Sequence, residues 1–166
     1  MKTKIKVVIQ TLNHKQIDTL AKLANLDARA MERSWKLSKF DAELSHKRTH
    51  GMGAFDPMGN LLAYAIYDVA DDNSILVVRL VVSPDHRRMG FATRLMDQLR
   101  ALSRMMHSAI PKLVVEVSED DVEAWKFFRE YGRRSGIDVK TYLVKNNPDD
   151  YFGFTFHTKE QIACAS

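Results

Sequence analysis

Apolar and polar residues alternate along this chain in patterns that divide it into strands and helices. "KIKVVIQ" (4–10) alternates into a β-branched run and predicts a strand. After Thr11, the apolar residues Ile17, Leu20, Leu23 and Leu26 recur at helical spacing and predict a first helix. "SKFDAEL" (38–44) opens on Ser38, a good N-cap, and predicts a short second helix. "HGMGAFD" and "LLAYAIYD" flank "PMGN" (57–60), a Pro/Gly/Asn turn that predicts a hairpin.

"SILVVRLVVS" (74–83) is apolar almost throughout, interrupted by Arg79, and predicts a strong strand. From Gly90 to about Met106, Phe91, Leu95, Leu99, Leu102 and Met106 lie on one helical face. "KLVVEV" (112–117) predicts a strand with one carboxylate, Glu116, inside it. "DDVEAWKFFREYG" (120–132) predicts a helix with acidic residues in its first turn and Gly132 at its end. "VKTYLV" and "YFGFTFHT" predict two strands joined by "KNNPDD", with Gly153 easing a close approach or bulge. The resulting order, β-α-α-β-β-β-α-β-α-β-β, is that of an α/β protein with a mixed sheet.

The composition narrows this picture. With 166 residues, 45% hydrophobic, and no repeats or linker-like tracts, the chain reads as a single domain spanning 1–166. No apolar run approaches a membrane span, and "MKTKIKVVIQ" lacks a signal peptide's apolar core, so a cytoplasmic protein without a membrane partner is expected. One cysteine, Cys164, excludes an internal disulfide framework, and the six scattered histidines show no metal spacing. The formal net charge of +4 suits an anionic ligand as well as nucleic acid. The basic run "GRRSG" follows a helix, where the dipole favours cations, so nucleic acid is not an expected partner.

The candidate chemistry begins at "SPDHRRMGFATRL" (83–95), where a strand hands over to a helix. The first amides of a helix have no internal partners, and the dipole adds positive potential there, so such an end binds phosphate. A glycine lets the backbone approach an anion, and Arg87, Arg88 and Arg94 add charge-assisted donors. The turn is not a Walker A loop, since it lacks the second glycine and the Gly-Lys-Ser/Thr ending. It reads either as a phosphate cradle or as a solvated basic turn with Gly90 starting the helix.

"Arg87-x-x-Gly90-x-Ala92" after an apolar strand and its "V-S-P" exit resembles the acyl-CoA motif of the GNAT N-acetyltransferases, and the element order fits theirs along nearly the whole chain. "VEVSEDDVEAWKFFREYG" and "RSWKLSKFDAEL" (33–44, through Trp35, Phe40 and Leu44) resemble segments of the ribosomal-protein-alanine N-acetyltransferases. The resemblance implies a single-domain fold with a mixed, mostly antiparallel sheet of about seven strands flanked by about four helices. It implies acetyl-CoA as the acyl donor, no metal, and an amine acceptor: a protein N-terminus, a peptide or a small amine. The turn amides of Arg88, Met89, Gly90, Phe91, Ala92 and Thr93 would hold the pyrophosphate, with Arg87 beside them as a charge-assisted donor. Main-chain groups of Leu80, Val81 and Val82 would meet the pantetheine and, near Val81, the oxyanion. Asp121, Ala124 and Phe128 would complete the cofactor contacts, and the acceptor would enter over residues 28 to 40.

Glu116 matches the position of the family's general base, and burial in its apolar strand would suit it to accepting a proton; alternation would instead turn it to solvent. The chain also departs from the pattern. Phe128 stands where the family has a tyrosine acid, Asp121 replaces an asparagine, and a downstream "GF" is "GR". A thiol with a pKa near ~8.5 leaves without full protonation, so losing the acid slows transfer without abolishing it. Water or Tyr142 are the substitutes that remain. The other reading is a non-catalytic acyl-CoA sensor or subunit, favoured by Phe128 and Asp121 and opposed by Glu116.

Overall fold

The computed structural model describes residues 4–106, 111–118, 121–137, 139–144 and 151–157, the side chains of 142–144 and 151–152 excepted. Its elements are β1 (Val8–Thr11), α1 (Ile17–Ala30), α2 (Leu37–Leu44), β2 (Thr49–Phe55), β3 (Leu61–Val69), β4 (Ile75–Val82), a 3-10 turn (Pro84–His86), α3 (Phe91–Met105), β5 (Lys112–Ser118), α4 (Val122–Ser135), β6 (Val139–Val144) and β7 (Tyr151–His157). The strands form a mixed sheet of seven, in the order β1-β2-β3-β4-β5-β7-β6. The pairs β1–β2, β2–β3, β5–β7 and β6–β7 are antiparallel and β4–β5 is parallel, so the described fold is α/β with a mostly antiparallel sheet and four helices.

The chain forms two compact units: Met1–Val69 with Val78–Asp97, and Ala70–Val77 with Gln98–Ser166. In the first, α1 and α2 place Leu20, Leu23, Leu26, Phe40 and Leu44 against Tyr64 and Ile66 of β3 and Val81 of β4. Ile17 was expected in this apolar stripe but is 76% exposed. A helical side chain leans toward the helix start, so the first residue of α1 projects beyond the packed face. The first strand is shorter than its pattern, starting at Val8 and not at Lys4. Ser38 is not the cap of α2: Lys36 holds that position in extended backbone, and the Lys39 and Phe40 amides donate to its carbonyl.

The predicted hairpin turn is built by Asp56, whose carboxylate accepts from the Met58 and Asn60 amides at 2.9 and 2.8 Å and from the Asn60 side chain at 2.9 Å. Those bonds, the Asn60 side chain first, hold Asp56 below the usual carboxylate range.

In the second unit, the parallel register of β4 with β5 runs from Ile75↔Leu113 to Val77↔Val115. On the other side β5 pairs with β7, and β7 with β6, both antiparallel. Phe128 and Tyr131 of α4 bury themselves on Phe154 and Phe156 of β7, with ring centroids 5.9 Å apart for Phe128 and Phe154 and 5.7 Å for Tyr131 and Phe156. Gly132 does not end α4. It lies inside the helix, where a Cβ would stand 2.4 Å from Val139 Cγ2, so the position takes no side chain. The helix ends at Gly136, whose φ of 61° gives the left-handed cap that glycine adopts at least expense. Gly153 introduces no bulge: the β5–β7 register passes through Glu116↔Gly153 without a shift.

Candidate functional site

The turn after β4 is shaped by its backbone. Ser83 is buried, donates its amide to Leu62 O at 2.8 Å, and accepts from the His86 amide at 2.9 Å. Arg88 and Gly90 both have positive φ, 60° and 86°. Two left-handed residues with Met89 between them curl the main chain into a concavity of the kind that holds anions. The first helical bond of α3 joins the Arg94 amide to Gly90 O, and the amides of Phe91, Ala92 and Thr93 precede it. A Cβ at Gly90 would meet nothing within 4 Å, so the space over the turn is open.

The three arginines divide their work. Arg87 donates to Ala30 O at 3.2 Å, and Arg94 donates to Val7 O at 3.4 Å. Asp85 pairs with Arg29 at 2.6 Å, a second tie from the turn to α1. Arg88 is exposed and has no hydrogen bond or ion pair among the described residues. It is therefore the free cation of the turn. Of the strand residues before it, Val81 buries its side chain in the first unit's core, and Leu80 and Val82 are half-buried on the other face.

The remaining predicted residues lie in the second unit. Along β5, Leu113, Val115 and Val117 are buried, whereas Glu116 and Ser118 are exposed. The expected burial of Glu116 is thus corrected. The period-2 alternation of the strand turns its carboxylate out of the core, although the flanking residues are apolar. Asp121 is the N-cap of α4, its carboxylate accepting the Ala124 amide at 3.0 Å. Its oxygen is thereby committed to its own helix. Phe128 is 4% exposed and touches Phe127, Phe154 and Phe156. Tyr131 is buried and edge-on to Phe156. The side chain of Tyr142, His107 and Cys164 lie outside the described residues.

One cluster escaped the sequence reading. Asp27 of α1 is fully buried, and both of its oxygens are doubly occupied. Oδ1 accepts from Tyr64 Oη and from Arg79 Nε at 2.9 Å. Oδ2 accepts from Arg79 Nη2 at 2.7 Å and from the Trp35 amide at 2.5 Å. Arg79 also donates to Arg33 O at 3.0 Å, and its guanidinium lies 4.7 Å from the Trp35 ring centre. Burial works against the charge of Arg79, but its bonds to Asp27 prevail and stabilise the cation. Burial, followed by the Asp27 hydrogen bond, pushes the Tyr64 phenol far above its ordinary range. The signal was present in the sequence. Asp27 interrupts the stripe of Leu20, Leu23 and Leu26, and Arg79 interrupts an apolar strand; two opposite charges at two buried positions imply a pair.

Among the described residues no group of three or more His, Cys, Asp or Glu could hold a metal, and no helix is long and apolar enough to cross a membrane. The sequence profile of the Acetyltransferase (GNAT) family matches residues 17–132. No curated protein matches the chain in sequence. Solved structures with a similar fold include the ribosomal-protein-S18-alanine N-acetyltransferase from Escherichia coli, at 19% identity and a TM-score of 0.71 over 93% of this chain and 95% of that one. Ard1 from Thermoplasma volcanium aligns at 16% identity and a TM-score of 0.68, over 91% of this chain and 97% of that one. An aminoglycoside 6'-N-acetyltransferase complexed with coenzyme A aligns at 13% identity and a TM-score of 0.70, over 92% and 97%.

Proposed function

This chain belongs to the acetyltransferase (GNAT) family, and from that premise we propose that it moves an acetyl group from acetyl-CoA to a primary amine, by direct attack within a ternary complex. The observation that carries this reading is the turn from Ser83 to Thr93. Two left-handed residues, the α3 amides that precede its first helical bond, and Arg88, which has no partner among the described residues, lie together in this stretch, and the space beside Gly90 is open. That combination fits a pyrophosphate, with the amides of residues 88 to 93 as donors and Arg88 as a charge-assisted one.

Acetyl-CoA supplies an activated acyl group as a thioester; the chain's residues hold it and handle charge. β4 runs on to Val82 after its last parallel pair with β5 at Val77, and in this reading the main chain of Leu80 and Val82 pairs with the extended pantetheine. The amide of Val81 donates to the oxygen that becomes negative as the amine attacks. A carboxylate oxygen of Glu116 takes the proton from the amine, directly or through water, and its exposure leaves it accessible to both. An α-amine, with a pKa near ~7.7–8.0 against ~10.4 for lysine, needs less help to become neutral. A protein or peptide N-terminus is therefore the acceptor class we assign, in keeping with the ribosomal-protein alanine named for one of the similar folds, whereas another is named for an aminoglycoside.

A second reading, a non-catalytic acyl-CoA sensor or subunit, is favoured by one observation. Phe128, where the family's tyrosine acid stands, is packed among aromatic rings and has no proton to give. Calorimetry with acetyl-CoA, followed by CoA-thiol release with a panel of N-terminal peptides and small amines, separates the two. Binding with amine-dependent thiol release establishes the transferase, and binding without release establishes the sensor. If acetyl-CoA does not bind, both fail.

A further inference from the structure

We propose that Arg79 and Asp27 are positioning residues for the amine acceptor, acting by clamping the main chain of the α1–α2 connection at Arg33 and Trp35. This rests on the reading of residues 28 to 40 as the acceptor side of the site.

The connection between Ala30 and Leu37 contains no regular hydrogen-bonded structure of its own. A loop of this kind ordinarily takes many conformations, and holding it in one requires ties from outside. The ties come from a single charged centre. Arg79 Nη2 donates to Arg33 O at 3.0 Å, and Asp27 Oδ2 accepts the Trp35 amide at 2.5 Å. The Met31 amide donates to Asp27 O at 2.9 Å, closing α1 where the loop begins. The Trp35 ring is held on three sides: by the Arg79 guanidinium at 4.7 Å, by Lys39 Nζ at 5.4 Å, and by Phe40 with centroids 5.3 Å apart. Phe40 in turn meets Tyr64 edge-on at 5.7 Å, and Tyr64 donates to Asp27. The loop, both helices, β3 and β4 are therefore connected through one buried carboxylate.

The energetics favour a geometric role over a stabilising one. Two charges withdrawn from water recover their desolvation only when every donor and acceptor is matched, and apolar residues of equal volume are often as stable. What an apolar pair cannot do is fix the Arg33 carbonyl and the Trp35 amide in one arrangement. The planar guanidinium does so because it presents several donors in a rigid fork, which a lysine cannot reproduce. Arg79 lies in the same strand as Leu80, Val81 and Val82, so the element read as holding the acyl donor also sets the acceptor loop.

The test is Arg79→Lys, which keeps the charge and removes the fork. We expect the acceptor KM to rise by about 10–100-fold, the scale of a small misplacement of a substrate-holding segment, while acetyl-CoA affinity is unchanged. An unchanged acceptor KM in folded Arg79→Lys overturns the proposal. So does a parallel loss of acceptor KM, acetyl-CoA affinity and melting temperature, which marks a merely structural role. Should Arg79→Lys not fold, Tyr64→Phe, which removes one donor from Asp27, carries the same comparison with a smaller expected rise. Amide hydrogen exchange at Trp35 is read alongside. Faster exchange in the variant supports the clamp, and unaltered exchange overturns it. If the wild-type protein acetylates no amine, the functional reading fails by itself, and the exchange result still decides whether the clamp exists.

Discussion

At the start of α3 the chain leaves the helix amides without a side-chain cap and surrounds them with arginines; at the start of α4 it caps them with its own Asp121. Both are strand-to-helix turns, and both helices begin with the same unpaired donors and the same dipole. The difference lies in what the turn places there. Arg88 and Gly90, at φ of 60° and 86°, curl the backbone just before α3, the space beside Gly90 is open, and Arg88 adds a cation without a partner among the described residues. At α4, Asp121 instead puts its carboxylate 3.0 Å from the Ala124 amide. An uncapped helix start in a folded protein has a cost that a ligand can offset, whereas at a self-capped start one of those donors is already satisfied and a carboxylate stands where an anion would bind. On the proposed reading, ligand binding belongs to the first and local stability to the second.

That assignment can be broken in four places. The largest effect is expected at Glu116, on the strand leading to the self-capped helix. Glu116→Gln should lower turnover by about 10²–10⁴-fold, the ordinary contribution of a general base, with acetyl-CoA affinity and melting temperature unchanged because the side chain is exposed. Steady-state kinetics beside calorimetry would show it, and a variant that turns over normally would remove Glu116 from the mechanism.

Next comes Gly90→Val, a β-branched residue at φ 86°. The strain is on the order of 1–3 kcal/mol, enough to distort the cradle, and acetyl-CoA binding should weaken at least about tenfold. Retained affinity in a folded variant would mean the turn is only a connection. Asp121→Ala should then cost about 1 kcal/mol of stability through the lost cap, seen as a lower midpoint in urea, with no change in acetyl-CoA affinity. A large loss of affinity there would return Asp121 to the cofactor contacts that its family position implies.

The smallest effect belongs to the far end of α4. Glu130 accepts from Arg133 at 2.6 and 2.9 Å and from Arg134 at 2.8 Å, and the Arg133 hydrogen bonds, followed by those of Arg134, bring its pKa from 4.5 down to about 2. A lowered folded value means that the pairing stabilises the protein above the ordinary carboxylate pKa and is lost as pH falls from 4.5 toward about 2. Glu130→Gln should therefore melt slightly earlier than wild type at neutral pH and identically near pH 2, a difference kept small by solvent screening. A gap that persists at pH 2 would show that Glu130 acts through packing.

Much of this was legible before any coordinates. The strand and helix periods located every element, because burial of one face imposes a period on the chain. The turn at residues 83–95 was readable as a candidate anion site because glycine, arginine and helix start are local features of one short stretch. Boundaries were less legible where tertiary contacts select them. α2 starts at Leu37 because the preceding loop is tied down, and α4 runs through Gly132 because Val139 occupies the space over it.

By itself, then, the sequence determined the order of strands and helices, the place of the turn and the identity of the family, since each depends on neighbours within a few residues or on a short motif. Only the tertiary structure decided that Glu116 is exposed, that Asp121 serves its own helix, and that Asp27 and Arg79 meet. Asp27 and Arg79 are far apart along the chain, and nothing local to either one reveals its partner. What brings them together is the packing of α1 on β3 and β4 around Leu23, Tyr64 and Val81, which sets the Arg79 guanidinium 2.7 Å from the buried carboxylate.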